Sequence, residues 1–294
     1  MKTIIGIPAF NEEKNIGSLI VNLKKKYDHV LVCDDGSSDT TANIASEMGA
    51  IVVKHSKNQG YGSAIKTIFN ECKKIDCDIL ITFDADGQHR VEDIQSVIQP
   101  IIDGDADIVI GSRFLKNNVD MPKYRKFGVK TITSLTNISS EIKLSDSQSG
   151  FRAYNKKTLL EIFPTENGMG ISTEIIIKAN RKKLRIKEVP IKILYEGKTS
   201  THNPVLHGIS VILSTTKFIS TEHPLSFYGL PGLALIIVGF FFVGWEILHF
   251  TEYGEFQLTI ALIAIGLTLV GLMCVLTSII LFSLIHVIRE KNNN

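Results

Sequence analysis

The chain has 294 residues, a formal net charge of +2 at pH 7 and 44% hydrophobic residues. Most of the charge lies in the first 222 or so residues, whereas residues 225–288 contain two long apolar runs separated by a short acidic stretch. Because Lys and Arg lie among acids and form no basic stripe, the composition gives no indication of nucleic-acid binding. The contrast in hydropathy indicates a large domain followed by an apolar C-terminal segment.

Four cysteines lack the spacing of a metal site: Cys33, Cys72, Cys77 and Cys274. We expect them to be reduced packing residues. The opening sequence MKTIIGIPAF is apolar, but the stretch is too short for the core of a signal peptide, and Pro8 interrupts it. We therefore expect the N-terminal domain to remain in the cytosol.

Residues 1–115 alternate short β-rich runs with helical periodicity, which predicts an α/β fold with a mostly parallel sheet and crossover helices. The predicted strands are Thr3–Ile7, Val30–Cys33, Ile51–Val53, Ile79–Phe83 and Ile108–Ile110. Apolar residues recur at helical spacing from Ile16 to Leu23, and Asn11 is the expected N-cap of this helix. Carboxylate-rich turns follow the first, second and fourth strands, at the sheet edge where ligands bind in open α/β folds.

A basic segment follows between Phe114 and Lys143 and has few strand signals. Two interpretations stay open for it. It could form a helix whose basic face is solvated, or a helix at the level of the lipid headgroups with its basic face toward anionic lipid. A second candidate for an interfacial helix runs from Val205 to about Ser220, within a juxtamembrane region at residues 201–224.

Two apolar runs lie near the C-terminus, at Leu230–Ile247 and Phe256–Ile288. At 18 and 33 residues, each is long enough to cross a hydrocarbon core as a helix. The HFTEYGE sequence between them has no Lys or Arg, whereas Arg289 and Lys291 follow the second run, so the positive-inside rule predicts that both flanks are cytosolic. We expect an integral membrane protein with a cytosolic domain at residues 1–200, a transmembrane hairpin within residues 225–294 and a cytosolic C-terminus.

The sequence FDADGQH places three oxygen-bearing side chains directly after the fourth predicted strand: Asp84, Asp86 and Gln88. Hard divalent cations prefer such ligands. Too few carboxylates lie nearby in the sequence for a closed protein cage, so the pattern favours Mg²⁺ or Mn²⁺ shared between one or two protein groups and a bound diphosphate. A D-x-D sequence is common in ordinary turns, but its position after a buried strand favours a functional site.

The sequence CDDGSSDTT places Asp34 and Asp35 after the second predicted strand. Their carboxylates could accept hydrogen bonds from a ribose or from a base N–H, or they could serve only turn and capping roles. After the first strand, Pro8 and Ala9 could form a floor for a flat base, and Glu12 could reach its polar edge.

Taken in order, the motifs IPAFNEE, CDDGSSDTT, NQGYGSAI, FDADGQH, IGSRF and DSQSGFRAY resemble family 2 glycosyltransferases of the dolichyl-phosphate mannose synthase group. The resemblance covers about residues 1–200. It implies a GT-A-type, Rossmann-like fold, an inverting transfer from a nucleotide-diphosphate sugar and a divalent cation. By position, it assigns metal binding to Asp86 and Gln88 and a donor contact to Asp84. The residues that it assigns to the base and ribose are Pro8, Phe10, Glu12 and Asp35.

The same resemblance assigns phosphate contacts to three basic residues: Arg113, Arg125 and Lys198. Fixed cations are needed to bring a phosphate monoester close to a diphosphate, and the planar fork of Arg suits phosphate oxygens. A phosphate monoester, whose second pKa is near ~6, is already ionised at neutral pH and needs no dedicated base. Glu174 would be a candidate base only for a hydroxyl acceptor.

The expected partners are a GDP- or UDP-linked donor of a hexose or N-acetylhexosamine, and a polyprenyl or dolichyl phosphate acceptor in membrane lipid. The sequence does not choose the sugar or the base, and it leaves open whether the chain forms a homo-oligomer. Two alternatives remain: a glycan-elongating family 2 transferase that acts on a sugar hydroxyl, and a non-catalytic membrane scaffold that binds sugar nucleotides. The chain lacks the QxxRW sequence of processive synthases, which argues against the first alternative, and the second leaves the carboxylates of FDADGQH without a role.

Overall fold

The computed structural model describes residues 1–115, 123–140, 142–193 and 224–293, together with Thr216 and Ser220. The chain divides into two compact units, Met1–Thr215 and Thr216–Asn294. The first unit contains the motifs named above, and the second contains the two apolar runs.

One sheet of seven strands forms the centre of the first unit. The strands are β1 Thr3–Ala9, β2 His29–Asp34, β3 Ile51–Lys54, β4 Ile79–Thr82, β5 Ile108–Ser112, β6 Arg152–Asn155 and β7 Ile186–Pro190. Their order across the sheet is β3-β2-β1-β4-β6-β5-β7, and only the pairings of β6 with β4 and β5 are antiparallel. The expectation of a mostly parallel sheet is confirmed.

Helices cover both faces of the sheet, which is why β1 is buried along nearly its whole length. The helices of this unit are α1 Ile16–Lys24, α2 Thr41–Glu47, α3 Tyr61–Lys74, α4 Ile94–Ile102, α5 Lys123–Ser140, α6 Lys156–Glu161 and α7 Ile171–Arg181. Alternate residues of β1 enter different apolar clusters: Ile5 shares one with Ile16 of α1, and Ile4 shares the other with Ile68 of α3.

The carboxyl ends of β1, β2, β4 and β5 lie at the same edge of the sheet, because these strands run in the same direction. The antiparallel strand β6 runs the other way and therefore begins at this edge, with Arg152. The turns that carry the predicted donor and metal residues thus emerge side by side.

One sequence expectation about an element boundary is wrong. Asn11 does not cap α1, because the helix begins at Ile16 and Asn11 lies in the preceding turn with a φ of 55°. The edge strand β7 ends at Pro190, and Ile193, three residues further on, forms an isolated bridge with His89 of the FDADGQH sequence.

The predicted basic helix corresponds to α5. Thr133 and Thr136 on its inner face are buried, and the Thr136 hydroxyl lies 3.4 Å from that of Thr173 in α7. Lys130 of the same helix is exposed. The helix therefore packs against the sheet domain through hydroxyl groups, and both interpretations of its basic face, solvated or lipid-facing, stay open.

The second unit contains two long helices, α8 at Leu230–Tyr253 and α9 at Leu258–Asn293, with one π-helical turn before α8. Helical stretches at Leu225–Tyr253 and Leu258–Ile285 are long and apolar enough to cross a membrane. Most of their large apolar side chains are exposed, whereas a core hairpin in a soluble protein would bury them.

Glycines allow the two helices to approach closely. A Cβ added to Gly232 of α8 would lie 2.8 Å from the carbonyl oxygen of Gly271 in α9. Gly254, with a φ of 71°, ends α8 in the left-handed conformation. These contacts are compatible with the expected membrane hairpin. The predicted interfacial helix at Val205–Ser220 lies outside the described residues except for Thr216 and Ser220.

Candidate active site

In the loop after β4, residues 83–89, carboxylates alternate with buried apolar residues; this segment is called the acidic loop. Phe83 and Ala85 are buried, whereas Asp84 and Asp86 alternate with them and are partly exposed. The backbone N–H of Gln88 donates to Asp86 Oδ1 at 3.0 Å, which closes a tight turn. The loop therefore presents Asp84 and Asp86 at the carboxyl edge of the sheet.

Two side chains hold the carboxylate of Asp84. His89 Nε2 lies 3.2 Å from Oδ2, and the Tyr61 hydroxyl donates to Oδ1 at 3.4 Å. Burial by itself raises the pKa of Asp84, but the hydrogen bond and electrostatic effect of His89, together with the charge of Arg113, outweigh burial and lower the pKa below its ordinary value. Asp84 is therefore an ionised group at neutral pH, and 30% of its side chain remains exposed.

Glu12 faces the same acidic loop from the turn after β1. Burial raises the pKa of Glu12, and the negative charges of Asp86, Asp39 and Asp84 raise it further, against a hydrogen bond from Asn15. The carboxylates of Glu12, Asp84 and Asp86 therefore lie close enough to repel one another, and a bound cation would offset this repulsion. Among the described residues, no group of three or more His, Cys, Asp or Glu side chains is arranged as a metal cage. The oxygen ligands of Asp86 and Gln88 fit a hard divalent ion that takes its other ligands from a substrate or water.

The two carboxylates after β2 are buried in turn contacts. Asp34 has no exposed surface, and its Oδ1 accepts hydrogen bonds from the backbone N–H and hydroxyl of Ser37. Its Oδ2 has no hydrogen-bond partner in the described part of the chain, and Lys54 Nζ is 3.8 Å away. Because Asp34 is enclosed, this geometry favours the turn role over the nucleoside contact that the sequence left open.

Asp35 connects β2 to the NQGYG motif. His55 Nδ1 lies 2.7 Å from Asp35 Oδ1, and the backbone N–H groups of Gln59 and Gly60 donate to the carboxylate at 3.0 and 2.8 Å. The second ring nitrogen of His55 lies 2.8 Å from the hydroxyl of Thr67 in α3. Asp35 thus orders the start of α3, and its predicted contact with the donor stays a prediction.

The residues assigned to the base lie at the end of β1. Pro8 and Ala9 are buried, and Phe10 is half-buried. The backbone N–H of Asp35 donates to the carbonyl of Ala9 at 2.8 Å, which joins the ends of β1 and β2. The structure therefore brings these residues, Asp35 and Glu12 to one side of the acidic loop.

Arg113 follows β5 and is bound to Asp146, whose carboxylate has no exposed surface. Its Nε and Nη2 donate to the two carboxylate oxygens at 2.6 and 2.7 Å, and its backbone N–H donates to Oδ2 at 3.1 Å. The charge of Arg113 also lowers the pKa of Asp84. A bidentate pair thus fixes the Arg113 guanidinium near the acidic loop.

The other two predicted phosphate ligands are Arg125 and Lys198. The backbone of Arg125 belongs to α5, but its side chain lies outside the described residues, as does all of Lys198. Ile193, five residues before Lys198, is bridged to His89 beside the acidic loop. Both assignments stay predictions.

The contacts of Glu174 stabilise the fold. It is fully buried, and its carboxylate accepts hydrogen bonds from the backbone N–H and hydroxyl of Thr165 and from the backbone N–H of Glu166. Lys178 Nζ pairs with it at 2.6 Å. These four donors attach the segment before α7 to the helix and leave Glu174 poorly placed to act as a base.

Three residues at the site were not singled out from the sequence: Tyr61, His89 and Gly150. Each lies in a motif that was recognised as a whole, namely NQGYGSAI, FDADGQH and DSQSGFRAY. The signal that could have found His89 is its adjacency to the predicted metal ligand Gln88. The contacts of Tyr61 and Gly150 with Asp84 join positions 23 and 66 residues apart, which one sequence does not reveal.

Comparison with known proteins agrees with this geometry. The family described as Glycosyl transferase family 2 matches residues 4–163. A UDP-N-acetylglucosamine–dolichyl-phosphate N-acetylglucosaminyltransferase of Methanococcus voltae is 37% identical over 72% of this chain and 91% of its own length. A dolichyl-phosphate hexose transferase of Haloferax volcanii is 31% identical over 73% of this chain and 92% of its own.

A solved structure shares the fold. Glucosyl-3-phosphoglycerate synthase from Mycobacterium tuberculosis, crystallised with Mn²⁺, UDP and phosphoglyceric acid, superposes with a TM-score of 0.60 at 18% identity. The similarity covers 74% of this chain and 78% of that one. It supports the GT-A-type fold expected from the motifs. The chain therefore belongs to glycosyl transferase family 2 and is a glycosyltransferase.

Proposed function

We propose that this enzyme transfers a hexose or N-acetylhexosamine from a GDP- or UDP-linked donor to a polyprenyl or dolichyl phosphate at the cytosolic face of a membrane, with inversion at the anomeric carbon. The observation that carries the proposal is the presence, in one chain, of an acidic GT-A sheet edge and two helices long enough to cross a membrane. The names of the Methanococcus and Haloferax relatives support the same acceptor class.

The donor would lie along the carboxyl edge of the sheet. Its base would pack beside Pro8, Ala9 and Phe10, and Asp35 would contact the base or ribose. Asp86 and Gln88 would hold Mg²⁺ or Mn²⁺ against the diphosphate. When bound, such an ion stabilises the charge that develops on the leaving nucleoside diphosphate. The Mn²⁺ and UDP in the glucosyl-3-phosphoglycerate synthase structure support this arrangement by analogy of fold.

A phosphate acceptor is favoured because the residue that the sequence offered as a base for a hydroxyl is poorly placed among the described residues. Glu174, the candidate base, is fully buried and already accepts three hydrogen bonds and an ion pair. An ionised phosphate oxygen can attack the anomeric carbon directly, so the protein's work is positioning and electrostatics. Arg113 would stabilise the donor diphosphate, and Arg125 and Lys198 would orient the acceptor phosphate.

A donor and acceptor screen tests the proposal. The detergent-solubilised full chain is incubated with Mn²⁺ or Mg²⁺, a prenyl phosphate and one radiolabelled donor at a time. UDP-N-acetylglucosamine comes first because of the Methanococcus relative, followed by UDP-glucose and GDP-mannose. The expected result is label in the lipid fraction that dilute acid releases as free sugar, as a sugar–phosphate linkage should allow.

Other outcomes would separate the alternatives. Label on a sugar hydroxyl with none on prenyl phosphate would favour the glycan-elongating transferase. Donor binding without transfer to any acceptor would favour the non-catalytic scaffold. Either result would overturn the proposed acceptor.

A further inference from the structure

Arg152, at the start of β6, is the largest side chain that is almost fully buried in the described part of the chain, with 1% exposed. Its guanidinium donates to three backbone carbonyl oxygens: Nη2 to Ser147 at 2.7 Å, Nε to Ser149 at 2.8 Å and Nη1 to Ser172 at 3.0 Å. No ion pair links it to a carboxylate among the described residues. A buried cation is therefore held by main-chain oxygens.

Such an arrangement contributes little to the stability of the fold. Burying a charge without an opposite charge is strongly unfavourable, and a protein is often as stable when apolar residues of similar volume replace buried charged ones. The three hydrogen bonds instead fix the path of the main chain. Two of them end on the loop Asp146–Gly150, called the 146–150 loop below.

The 146–150 loop touches the candidate active site at both ends. At one end, Asp146 receives the bidentate pair from Arg113. At the other end, Gly150 lies against Asp84: a Cβ added to it would be 2.7 Å from each carboxylate oxygen. The Ser147 and Ser149 carbonyls that Arg152 binds lie between these two contacts. The hydrogen bonds of Arg152 therefore link the segment that carries Asp146 to the segment that lies against Asp84.

We propose that Arg152 is a positioning residue for the sugar-nucleotide donor, which acts by holding the 146–150 loop in the conformation that orients Arg113 and Asp84. The residue does not touch the donor in this proposal. The expected effect on donor kinetics rests on the proposed function. The expected effect on the conformation of the 146–150 loop does not.

The test compares wild type with Arg152→Met, which removes the charge and the three hydrogen bonds but keeps a long side chain. Hydrogen exchange reads the loop through the amides of Ser147 and Gln148, which donate to Thr133 Oγ1 and Asp146 Oδ1 in the structure. We expect these amides to exchange on the order of tenfold faster while amides of β1 and β2 are unchanged. For the donor, kcat/KM should fall on the order of tenfold to a hundredfold.

Arg152→Lys is the second variant, and it decides the question alone if Arg152→Met does not fold. A point charge cannot reproduce a planar fork that reaches three carbonyls, so partial recovery of loop protection and of donor kcat/KM is expected. Arg185→Met is the matched control. Arg185 is paired with Asp107 at the opposite edge of the sheet, and its loss should leave donor kinetics unchanged.

Two results would overturn the inference. One is donor kinetics and loop exchange within about twofold of wild type in a folded Arg152 variant. The other is exchange that rises equally in the 146–150 loop and in the central strands, which would mean that Arg152 supports only global stability. If wild type itself transfers no sugar to prenyl phosphate, the proposed function fails. Loop exchange, and titration of the variants with UDP and GDP, would still test Arg152.

Discussion

Gly150 lies directly against the carboxylate of Asp84, although the two residues are 66 positions apart in the chain. A Cβ on Gly150 would lie 2.7 Å from Oδ1, from Oδ2 and from the Tyr61 hydroxyl. Such distances are too short for van der Waals contact, so any side chain at this position must displace Asp84 or Tyr61. Glycine allows this close approach to the two side chains. Its φ is not in the left-handed region, so backbone freedom is not the reason for glycine here.

The Gly150→Ala variant should therefore misplace Asp84. We expect kcat/KM for the donor to fall on the order of tenfold to a hundredfold, because small displacements of positioning groups have large kinetic effects. Steady-state kinetics with varied donor would measure this. Gly128→Ala is the control, since Gly128 lies in α5 with nothing within 4 Å of an added Cβ. Equal kinetics in the two variants would contradict the role of the contact.

A second prediction concerns the metal. Asp86→Asn removes a charged oxygen from the proposed metal site on a partly exposed loop, so we expect transfer to fall on the order of a hundredfold or more while the fold remains intact. Activity measured across a Mn²⁺ titration, with thermal unfolding in parallel, tests both parts. Asp105→Asn, which removes an exposed partner of Lys187, should change neither. Near-normal turnover of Asp86→Asn at limiting Mn²⁺ would refute the metal assignment.

The sequence predicted the first five strands well because they are apolar runs, and it missed β6 because that strand, although mostly buried, is not an apolar run. The sequence RAYN begins with Arg152 and ends with Asn155, and its buried polar groups find partners that only the tertiary structure supplies. For β7, IKEVP carries charges and lies at the sheet edge, where the apolar pattern is weak.

The candidate site was predictable by position but not by pairing. The motifs correctly brought the acidic loop and Arg113 to one sheet edge, because parallel strands end together. They gave no indication that Asp146 would pair with Arg113, because Asp146 comes from a later part of the chain. They also gave no indication that Asp34 would be buried, because its burial depends on local packing of the turn. Burial of a carboxylate is a property of the folded structure.

A third prediction uses the ion pair between Asp107 and Arg185. Burial raises the pKa of Asp107, but hydrogen bonds from Arg185 and Asn155 outweigh this and lower it to about 2. Because the folded pKa is depressed from an unfolded value of about 3.9, the contribution to stability is present above that value and is lost as the pH falls from about 4 toward 2. Thermal unfolding of the detergent-solubilised chain across this range measures it.

The Asp107→Asn variant isolates this contribution. The difference in unfolding temperature between wild type and Asp107→Asn should be largest near neutral pH and should shrink below pH ~4. Asp103→Asn serves as the control, since Asp103 accepts a hydrogen bond from Gln99 on the surface. A difference for Asp107→Asn that stays constant down to pH ~2 would contradict the pKa assignment.

The fourth prediction concerns topology. The turn between α8 and α9 contains no Lys or Arg, so we expect it to face away from the cytosol, with the C-terminus on the cytosolic side. A cysteine introduced at Tyr253 or at Asn293 can be labelled with an impermeant maleimide in a chain with Cys274 replaced by Ser, because the three remaining cysteines are buried. Tyr253→Cys should react in intact cells, and Asn293→Cys only after permeabilisation. Labelling of both from the same side would exclude the hairpin.

The last prediction separates acceptor handling from donor handling, and it rests on the position of Arg125 in the basic helix α5 rather than at the end of a strand. If Arg125 binds the lipid phosphate, Arg125→Ala should lower acceptor-dependent kcat/KM roughly tenfold to over a hundredfold. This corresponds to about 1.5–3 kcal/mol for one charge-assisted contact. Donor affinity, measured by calorimetry without lipid, should barely change. Varying the prenyl phosphate concentration at saturating donor isolates the effect.

Two further variants make this result specific to Arg125. Arg125→Lys should recover only part of the activity, because a point charge replaces a bidentate fork. Lys157→Ala removes an exposed cation from α6, a helix that begins at the opposite edge of the sheet, and it should leave the acceptor dependence unchanged. If Arg125→Ala instead lowers donor affinity and leaves acceptor dependence intact, Arg125 belongs to the diphosphate site. The acceptor phosphate must then be bound by other cations, with Lys198 the first to test.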